Sequence, residues 1–544
     1  MSGPLLDDDD GQSTVRVLGA RAGKRRIQVA LALMAALCLG GWWLARTRTV
    51  NTQPSPHAAD GGAGCLCSQL PVPDTYWQLL STADDRAFVE IPSTATIGPG
   101  GSVCVRVVVP PRPSGHDESM VHMPPAGAPW DSILLDMVGA RTGISVPVAL
   151  RAVAHVDNYH RSTTHIYEAD VLLRDADTYH PDGYIEFRDA VWNAEGNNTV
   201  PLFAPEALVI PESLNVTVAD PHGTSPYSLQ RHLDLPLCTR MDAEGRWVRN
   251  ADLPFSNAEV LPSDHHGLVW LPYHCRLQRY THEAFAQCLT QKHRLVHWFG
   301  DSNTRRALKK ITTLGQWCSD PHDRATSECR CEDYNQPDTR FSEHAREAII
   351  DMDPVVGGVG RVPEWLAPAD PVPANGSRIV VFKTEGLTYL NRPAWHRRFD
   401  VGIIEWFGVP NTVVVSLVNW DAAFMTMNTF AIELDKFLAR LQAAYPPTVD
   451  IIIRTGQHYC CRADTSRLGR KFSRLRVALM NDYVAQRARA RLGPHRSIRV
   501  WDVAMVTERR PYIARAESRK CSSNHARSEI VDVENQVLFN GLCN

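Results

Sequence analysis

The sequence lacks a surplus of either charge. Lys and Arg total 57 against 60 Asp and Glu, which gives a formal net charge of −3. The basic residues are also spread along the chain rather than gathered into one run. The charge therefore gives no sign of the basic surface typical of nucleic-acid-binding proteins, and no nucleic-acid partner is expected. With 544 residues, of which 44% are apolar and 22% charged, the chain predicts packed cores in at least two domains.

One stretch lacks charge entirely. Residues 27–45, IQVALALMAALCLGGWWLA, contain no charged side chain and are just long enough to cross a bilayer as a helix. Basic residues are denser before this run than after it, so the positive-inside rule predicts a cytoplasmic tail at 1–26 and a type II signal anchor at 27–45. A cleaved signal peptide is the alternative, but the run is long and no small-x-small cleavage site follows it.

Cysteine, in contrast, is plentiful. The chain has 14 cysteines, and oxidising compartments use such residues for disulfides, whereas cytosolic enzymes keep few. Three N-glycosylation sequons begin at Asn197, Asn215 and Asn375. Together with the anchor, these features predict a Golgi membrane glycoprotein whose body is lumenal.

The segment after the anchor changes character twice. Residues 46–84 begin polar and rich in Pro, Gly and Ala, which predicts a flexible stem. Short β-branched runs separated by turn residues follow at 103–110, 144–156, 165–175, 183–193 and 212–218. No helical pattern interrupts them, so an antiparallel β-sandwich is expected over 85–225, with a cysteine-bearing connector at 226–290.

From about residue 290 the pattern alternates between strands and helices. Near-continuous apolar runs, typical of strands buried on both faces, lie at 294–299, 378–383, 412–419, 450–455 and 498–503. Helical stripes are predicted as follows: Ala307, Leu308, Ile311 and Leu314; Phe430, Leu434, Phe437, Leu438 and Leu441; Leu468, Phe472, Leu475, Leu479 and Tyr483. This predicts an α/β domain over 291–544, with a parallel sheet covered on both faces. In such folds the site lies at the carboxyl ends of the strands.

The tripeptide Gly300-Asp301-Ser302 stands where the first of these strands meets a predicted helix. A backbone N–H at a helix N-terminus stabilises a developing oxyanion, so Ser302 is a candidate nucleophile. The competing interpretation is that Ser302 is only the helix N-cap. The tripeptide is short enough to arise by chance and remains a hypothesis.

A serine nucleophile needs a base, and the end of the chain offers one. His525 lies in a polar turn just before a predicted last helix, whose buried side is expected to carry Ile530, Val533 and Val537. The competing interpretation is a structural or solvent-exposed histidine, since the chain has 21.

Several blocks in order resemble one family. They are GRWV (245–248), LPYHCRLQRYTHEAFAQCL (271–289), GDSNTR (300–305), VVVSLVNWD (413–421) and HARSEIVDVENQVLFNGLCN (525–544). This combination resembles the PC-esterase branch of the SGNH/GDSL superfamily, which includes plant trichome-birefringence-like polysaccharide O-acetyltransferases, fungal capsule O-acetylation proteins and neurexophilin-and-PC-esterase proteins. The resemblance covers roughly residues 235–544, and more loosely the region back to about 85. It implies an SGNH-like three-layer α/β/α domain preceded by an immunoglobulin-like domain.

The resemblance also implies residue roles. Ser302 would be the nucleophile and donate a backbone N–H to the oxyanion. Gly386, after the second strand, would give a second N–H, and Asn419, after the third, a side-chain donor. Arg305 would steady the loop or a substrate oxygen. The competing interpretations are a turn glycine at 386 and a strand-end cap at 419.

The sequence departs from the family at one position. The family has an Asp three residues before its histidine, and here that position is Ser522. Asp502, after the last predicted strand, is a candidate substitute, and His458 is an alternative base. A missing orienting acid lowers the rate but leaves oxyanion stabilisation in place. It also makes a catalytically inactive glycan-binding protein an alternative function.

Two other groups of cysteines are candidates for a structural or metal-binding role. Cys521 and Cys543 bracket the last helix and are candidates for a disulfide that holds the loop of His525. The pattern Cys329-x-Cys331 and the segment His458-x-Cys460-Cys461 have ligand-like spacing, but in an oxidising lumen such cysteines are more often disulfides, so no metal is expected.

The expected activity is O-acyl transfer, most simply O-acetyl transfer, to glycan or polysaccharide hydroxyls through a serine acyl-enzyme. The acetyl donor would be a co-substrate, and no tightly bound cofactor is required. If water accepts the acyl group instead, the same site is an O-acetyl esterase, because the two differ in how well the pocket excludes water.

Overall fold

The structure, a computed structural model, describes residues 66–77, 79, 86–92, 96–111, 130–153, 164–188, 206–315, 347–361, 370–384, 386–387, 402–458, 474–494, 496–511 and 526–544. The stretch Gly61–Asn544 forms one compact unit. The predicted tail, anchor and most of the stem lie outside the described residues. Within the described ranges, no helix has the length and apolar character that crossing a bilayer requires.

The first part of the unit is built from short strands. After a 3-10 turn (Cys67–Gln69) and a one-turn helix α1 (Asp74–Trp77) come β1 (Phe88–Glu90), β2 (Gly101–Val109), β3 (Ser132–Gly139), β4 (Ser145–Pro147), β5 (Arg151–Ala152), β6 (His165–Leu173), β7 (Thr178–Phe187), β8 (Glu206–Ala207) and β9 (Val216–Thr217). They form two antiparallel sheets, β1-β2-β6-β5 and β4-β3-β7-β8, with β9 beside β7. Apolar side chains from both sheets share one core, which confirms the predicted antiparallel architecture. Strand β3 was not among the predicted strands.

A hairpin separates this sandwich from the rest of the unit. Strands β10 (Gly245–Arg249) and β11 (Leu268–Pro272) pair antiparallel, and 3-10 turns lie around them at Leu229–Asp234, Asn250–Asp252 and Asn257–Glu259. Because side chains alternate along a strand, its two faces enter different cores. Trp247 and Trp270 belong to the core of the α/β part, whereas Val248 and Val269 belong to the sandwich core. The connector is therefore a packed wall shared by two cores.

The α/β part contains the remaining elements. Its strands are β12 (Leu295–Gly300), β13 (Glu347–Asp353), β14 (Gly357–Arg361), β15 (Ser377–Lys383), β16 (Thr412–Ser416), β17 (Asp450–Arg454) and β18 (Ile498–Trp501). Its helices are α2 (His282–Lys292), α3 (Ser302–Thr312), α4 (Ile403–Phe407), α5 (Asn419–Phe424), α6 (Met427–Ala444), α7 (Arg474–Leu492), α8 (Val503–Glu508) and α9 (Ser528–Cys543).

These strands form one seven-stranded sheet in the order β14-β13-β15-β12-β16-β17-β18. The five predicted strands are confirmed, and they pair in parallel. The antiparallel hairpin β13–β14 at one edge was missed. Numbered along the chain, the parallel strands have the order 2-1-3-4-5. The strand order therefore reverses between β12 and β16, the point at which open α/β sheets bind their ligands.

Helices cover both faces of this sheet. On one face, α2, α3, α8 and α9 pack against side chains such as Val296 and Trp298. On the other, α4, α6 and α7 pack against Leu295 and Phe299. Successive residues of β12 thus point to opposite faces, which explains why the strands read as continuous apolar runs.

The predicted helical stripes fare unevenly. The stripe on α6 is fully buried, and so are Ile530, Val533 and Val537 on α9. On α3, Ala307, Leu308 and Ile311 are buried, but Leu314 lies beyond the helix end. On α7 the phase was wrong, because Val477, Met480, Val484, Ala488 and Leu492 form the buried stripe. The predicted Leu475, Leu479 and Tyr483 are only half-buried.

Three disulfides staple the described residues: Cys67–Cys104, Cys238–Cys275 and Cys288–Cys543. The third one corrects the prediction that Cys543 pairs with Cys521, because the sulfur of Cys543 is bonded to Cys288 on α2. The end of the chain is thereby tied to the start of the α/β part. Cys521 lies outside the described residues.

Candidate active site

The carboxyl edge of the sheet gathers most of the candidate residues. Strand β12 leads into Asp301 and Ser302, β15 into the loop of Gly386, and β16 into Asn419. Since β15, β12 and β16 are neighbours in the sheet, the three loops start side by side. The pair β12 and β16 flanks the point where the strand order reverses, so the sequence-predicted site coincides with the crevice expected from topology.

The turn that carries Ser302 is built by its two neighbours. Asp301 is the N-cap of α3, and its carboxylate accepts hydrogen bonds from the N–H groups of Asn303 at 3.0 Å and Thr304 at 3.4 Å. A Cβ at Gly300 would lie 2.1 Å from Oγ1 of Thr304, so only glycine allows this close approach. The N-cap interpretation of Ser302 is therefore wrong, because Asp301 caps the helix.

Ser302 is the first residue of α3 and is 7% exposed. The first N–H groups of a helix have no partner within the helix and carry its positive end. The serine hydroxyl and a backbone N–H are thus attached to the same residue at the site where negative charge is best tolerated. Arg305, one turn further, is also buried.

Gly386 lies in a turn held by Asp421. Its φ is +71°, in the region that favours glycine, and a Cβ there would lie 2.7 Å from Oδ1 of Asp421. The same carboxylate oxygen accepts the N–H of Leu387 at 2.8 Å. The turn-glycine interpretation is correct for the backbone, and Asp421, which sequence reasoning did not single out, fixes the loop. Its place two residues after Asn419 was the available signal.

Asn419 is the first residue of α5 and is buried. Its side-chain Nδ2 donates to the carbonyl of Gln457 at 2.9 Å, and its Oδ1 accepts the N–H of Gln457 at 3.0 Å. The residue before it, Val418, has φ +87°, which is a strained conformation for a β-branched residue. The predicted apolar run 412–419 included Asn419, but β16 ends at Ser416, and Asn419 begins the helix that follows the strained turn.

The candidate base His525 lies outside the described residues, but the next residue does not. The Nη2 atom of Arg306 donates to the carbonyl oxygen of Ala526 at 3.2 Å. Arg306 is four residues after Ser302 on the same helix, a rise of about 6 Å. The backbone next to His525 is therefore fastened to the helix that begins at Ser302. Lys310 further along α3 pairs with Asp532 of α9.

Asp502 has a structural role in the described fold. It is the N-cap of α8, where its carboxylate accepts the N–H of Met505 at 3.2 Å and the hydroxyl of Thr455 at 3.1 Å. Burial raises the pKa of this carboxyl to about 6, against the opposing effect of these two donors. It follows β18, three strands away from β12, so its position offers no direct support for a role at Ser302. His458, on the loop after β17, is buried, and its backbone N–H donates to Oγ1 of Thr507 at 3.0 Å.

A fully buried ion pair lies behind the strand ends. Arg454, the last residue of β17, contacts Glu534 of α9 at 2.9 Å, and both side chains are 0% exposed. Burial raises the pKa of Glu534, and the charge of Arg454 opposes this. Burial likewise raises the pKa of Asp301, again opposed by Arg454. The sequence analysis missed this network of buried charges, because a charged residue in a helical pattern usually faces the solvent.

The remaining predicted sites are peripheral. Asn215 and Asn375 are both exposed and lie outside helices and strands, as glycan attachment requires, and Asn197 lies outside the described residues. In the described ranges, ligand atoms close enough to share a metal occur at Cys67, Cys104 and Glu168. The two sulfurs are consumed in a disulfide, so this group is unsuited to hold a metal.

Comparisons with protein-family models, curated proteins and solved structures found no match. What the arrangement can do therefore rests on its own geometry. A hydroxyl at a helix N-terminus, with an amide side chain and a glycine turn on the neighbouring loops, suits stabilisation of an oxyanion in acyl transfer.

Proposed function

We propose that this chain is an O-acyltransferase that moves an acetyl group to glycan or polysaccharide hydroxyls through an acyl-enzyme on Ser302. The α/β part would be an SGNH-like domain of the PC-esterase type, and the sandwich an immunoglobulin-like domain. One observation carries the proposal: Ser302 starts a helix that Asp301 caps, at the edge of the sheet where the loops of Gly386 and Asn419 also begin.

In the first half-reaction, Oγ of Ser302 attacks the carbonyl carbon of an acetyl ester or thioester, and His525 takes the hydroxyl proton. The carbonyl oxygen becomes an oxyanion, which the N–H groups of Ser302 and Gly386 and the amide of Asn419 stabilise. Each such donor contributes about 3 kcal/mol to the transition state. The bond to the donor's leaving group then breaks, and the leaving group receives the proton from His525.

In the second half-reaction a sugar hydroxyl attacks the acyl-enzyme and gives its proton to His525. The ester bond to Ser302 breaks, Oγ recovers a proton, and the O-acetylated sugar leaves. The bond between Arg306 and the carbonyl of Ala526 supports this role of His525, since it holds the neighbouring backbone on α3. Without a dedicated Asp at position 522 we expect turnover slower than that of a complete triad.

The proposed setting is the Golgi lumen, reached through a type II anchor at 27–45. Three disulfides among the described residues support an oxidising compartment. The exposure of Asn215 and Asn375 is compatible with glycosylation there.

The proposal is tested by following acetyl on the protein. The full chain, produced through the secretory pathway and purified in detergent, is mixed with an activated acetyl ester and its intact mass is recorded. We expect a single acetyl adduct on the wild type and on the control Ser256→Ala, which removes an exposed serine in the connector. Ser302→Ala should abolish the adduct, a loss of at least about a thousandfold in labelling rate.

Two further outcomes separate the alternatives. If added glycan acceptors discharge the adduct no faster than buffer does, the site is an esterase. If the wild type gives no adduct yet binds glycans, acyl transfer is refuted and a glycan-binding protein remains.

A further inference from the structure

The orientation of Asn419 is set from a neighbouring loop. Its amide and the backbone of Gln457 form a closed pair of hydrogen bonds, one in each direction. Such a pair uses one of the two hydrogens on Nδ2 and fixes the plane of the amide, so the second hydrogen is directed away from Gln457. The direction in which Asn419 donates therefore depends on where the backbone of Gln457 lies.

Gln457 is in turn held from the last helix. Its side-chain Nε2 donates to Oε1 of Glu534, while the other oxygen of Glu534 is 2.9 Å from Arg454. Arg454 also donates to Oγ of Ser416 at 3.3 Å, two residues before the strained Val418. One buried carboxylate is thus linked to the loops that follow β16 and β17.

This arrangement is costly, which argues against a purely structural origin. Burying an ion pair removes two charges from water, and apolar residues of similar size often stabilise a protein as well or better. The surrounding backbone is specialised too. A Cβ at Gly456 would lie 3.0 Å from Val418 and 3.2 Å from Oδ1 of Asn419. Glycine at 456 therefore lets the two loops come close enough for the polar links between them.

We propose that Gln457, anchored by Glu534, is a positioning residue that aims the amide of Asn419 at the oxyanion. This inference rests on the proposed acyl transfer through Ser302 and adds a residue that sets the orientation of one oxyanion donor. Gln457 acts through Asn419 and touches no reacting atom, so its removal should affect the transition state more than substrate binding.

The test is a double-mutant cycle on Ser302-dependent acetyl transfer by the full chain. Asn419→Ala should lower kcat about a hundredfold, as loss of an oxyanion donor does. Gln457→Ala should lower kcat about tenfold with little change in KM. In the Asn419→Ala background, Gln457→Ala should have no further effect, because its partner is already gone. Additive effects would overturn the inference.

The matched control is Gln536→Ala. This glutamine is buried on α9, the helix that carries Glu534, and it makes two hydrogen bonds to the backbone of Tyr280, 2.9 and 2.8 Å long. Its removal should lower stability while kcat stays within about twofold. An equal fall of kcat in this variant would show that Gln457 acts only through stability.

A second measurement does not depend on catalysis. Hydrogen exchange of the peptide around 417–421, read by mass spectrometry, should speed up several-fold in Gln457→Ala and remain unchanged in Gln536→Ala. If Ser302 proves unreactive, the proposed function fails, yet this measurement still decides whether Gln457 holds Asn419. Unchanged exchange in Gln457→Ala would refute the positioning role.

Discussion

Helices α6 and α3 lie on opposite faces of the seven-stranded sheet and are buried by different chemistry. Helix α6, on one face, buries six residues, and all are apolar: Met427, Phe430, Leu434, Phe437, Leu438 and Leu441. On the opposite face, every residue of α3 is buried, including the cations Arg305, Arg306, Lys309 and Lys310. Helix α9, on that same face, buries Glu534, Asn535, Gln536 and Asn540 among its apolar residues.

This difference separates packing from specification. Apolar side chains stabilise the fold wherever they fill the available space. A helix face built from them therefore tolerates many combinations of apolar residues. Buried polar groups are acceptable only when each finds its partner. Ser302 starts α3, and Ala526 packs against the same core, so the buried polar groups of α3 and α9 lie where the proposed reaction needs a unique geometry.

The largest expected effect concerns the buried charge of Glu534 on α9. Arg454→Met should lower the free energy of unfolding by about 3–5 kcal/mol, because Glu534 would be left as an unpaired buried carboxylate. Urea denaturation followed by circular dichroism measures the loss. The double variant Arg454→Met/Glu534→Leu should recover most of it, since neither charge of this pair remains. If the double variant is as unstable as the single one, packing rather than charge explains the effect.

On α6 the expected loss of stability has a different cause. Leu434→Ala, at a fully buried position, should cost about 3 kcal/mol through lost transfer energy and the cavity left behind. Lys436→Ala, on the exposed side of the same helix and paired with Glu433, should cost less than about 0.5 kcal/mol. Because no charge is buried at this position, we expect no second substitution to restore stability by removing a charge. A loss for Leu434→Ala no larger than that for Lys436→Ala would contradict the placement of Leu434 in the core.

A further effect is a pH dependence of stability. In the folded protein the pKa of Asp502 is raised from 3.8 to about 6, so the folded state binds more protons than the unfolded state between these values. Its contribution to stability therefore falls as pH rises from about 4 to about 6. Asp502→Asn should remove this slope. Denaturation of both proteins across that range checks it, and parallel curves would show that the carboxyl does not titrate there.

Buried His297 on β12 should make stability respond to acid in the opposite sense. Burial lowers the pKa of His297 from 6.5 to about 3. The unfolded state therefore binds more protons than the folded state between these values, and stability falls as pH drops through that range.

Periodicity predicted the sheet well, because strands buried on both faces carry an unmistakable apolar run. The same rule missed β13 and β14, whose glycines and acidic residues interrupt the pattern at a sheet edge. On α7, half-buried Leu475 and Leu479 were mistaken for core residues. When apolar residues occur on two sides of a helix, periodicity alone does not tell which side is more deeply buried.

At the site, Ser302 was predicted from its place at a strand end, and Gly386 and Asn419 from the family resemblance, but the partners of all three were missed. The cap by Asp301, the support from Asp421 and the pairing of Asn419 with Gln457 depend on contacts between distant segments. A single sequence contains no local signal for such contacts. The pairing of Cys543 with Cys288 was missed for the same reason, because disulfide connectivity is set by the fold.

The hairpin of β10 and β11 has a consequence for how the chain comes apart. Since Trp247 and Trp270 serve one core while Val248 and Val269 serve the other, no cut between sandwich and sheet leaves both halves covered. A fragment starting near residue 291 would expose the surface under the two tryptophans, and a fragment ending near 225 would expose the base of the sandwich. Melting of one region should therefore strip the other of part of its core, and the two should unfold in a single transition.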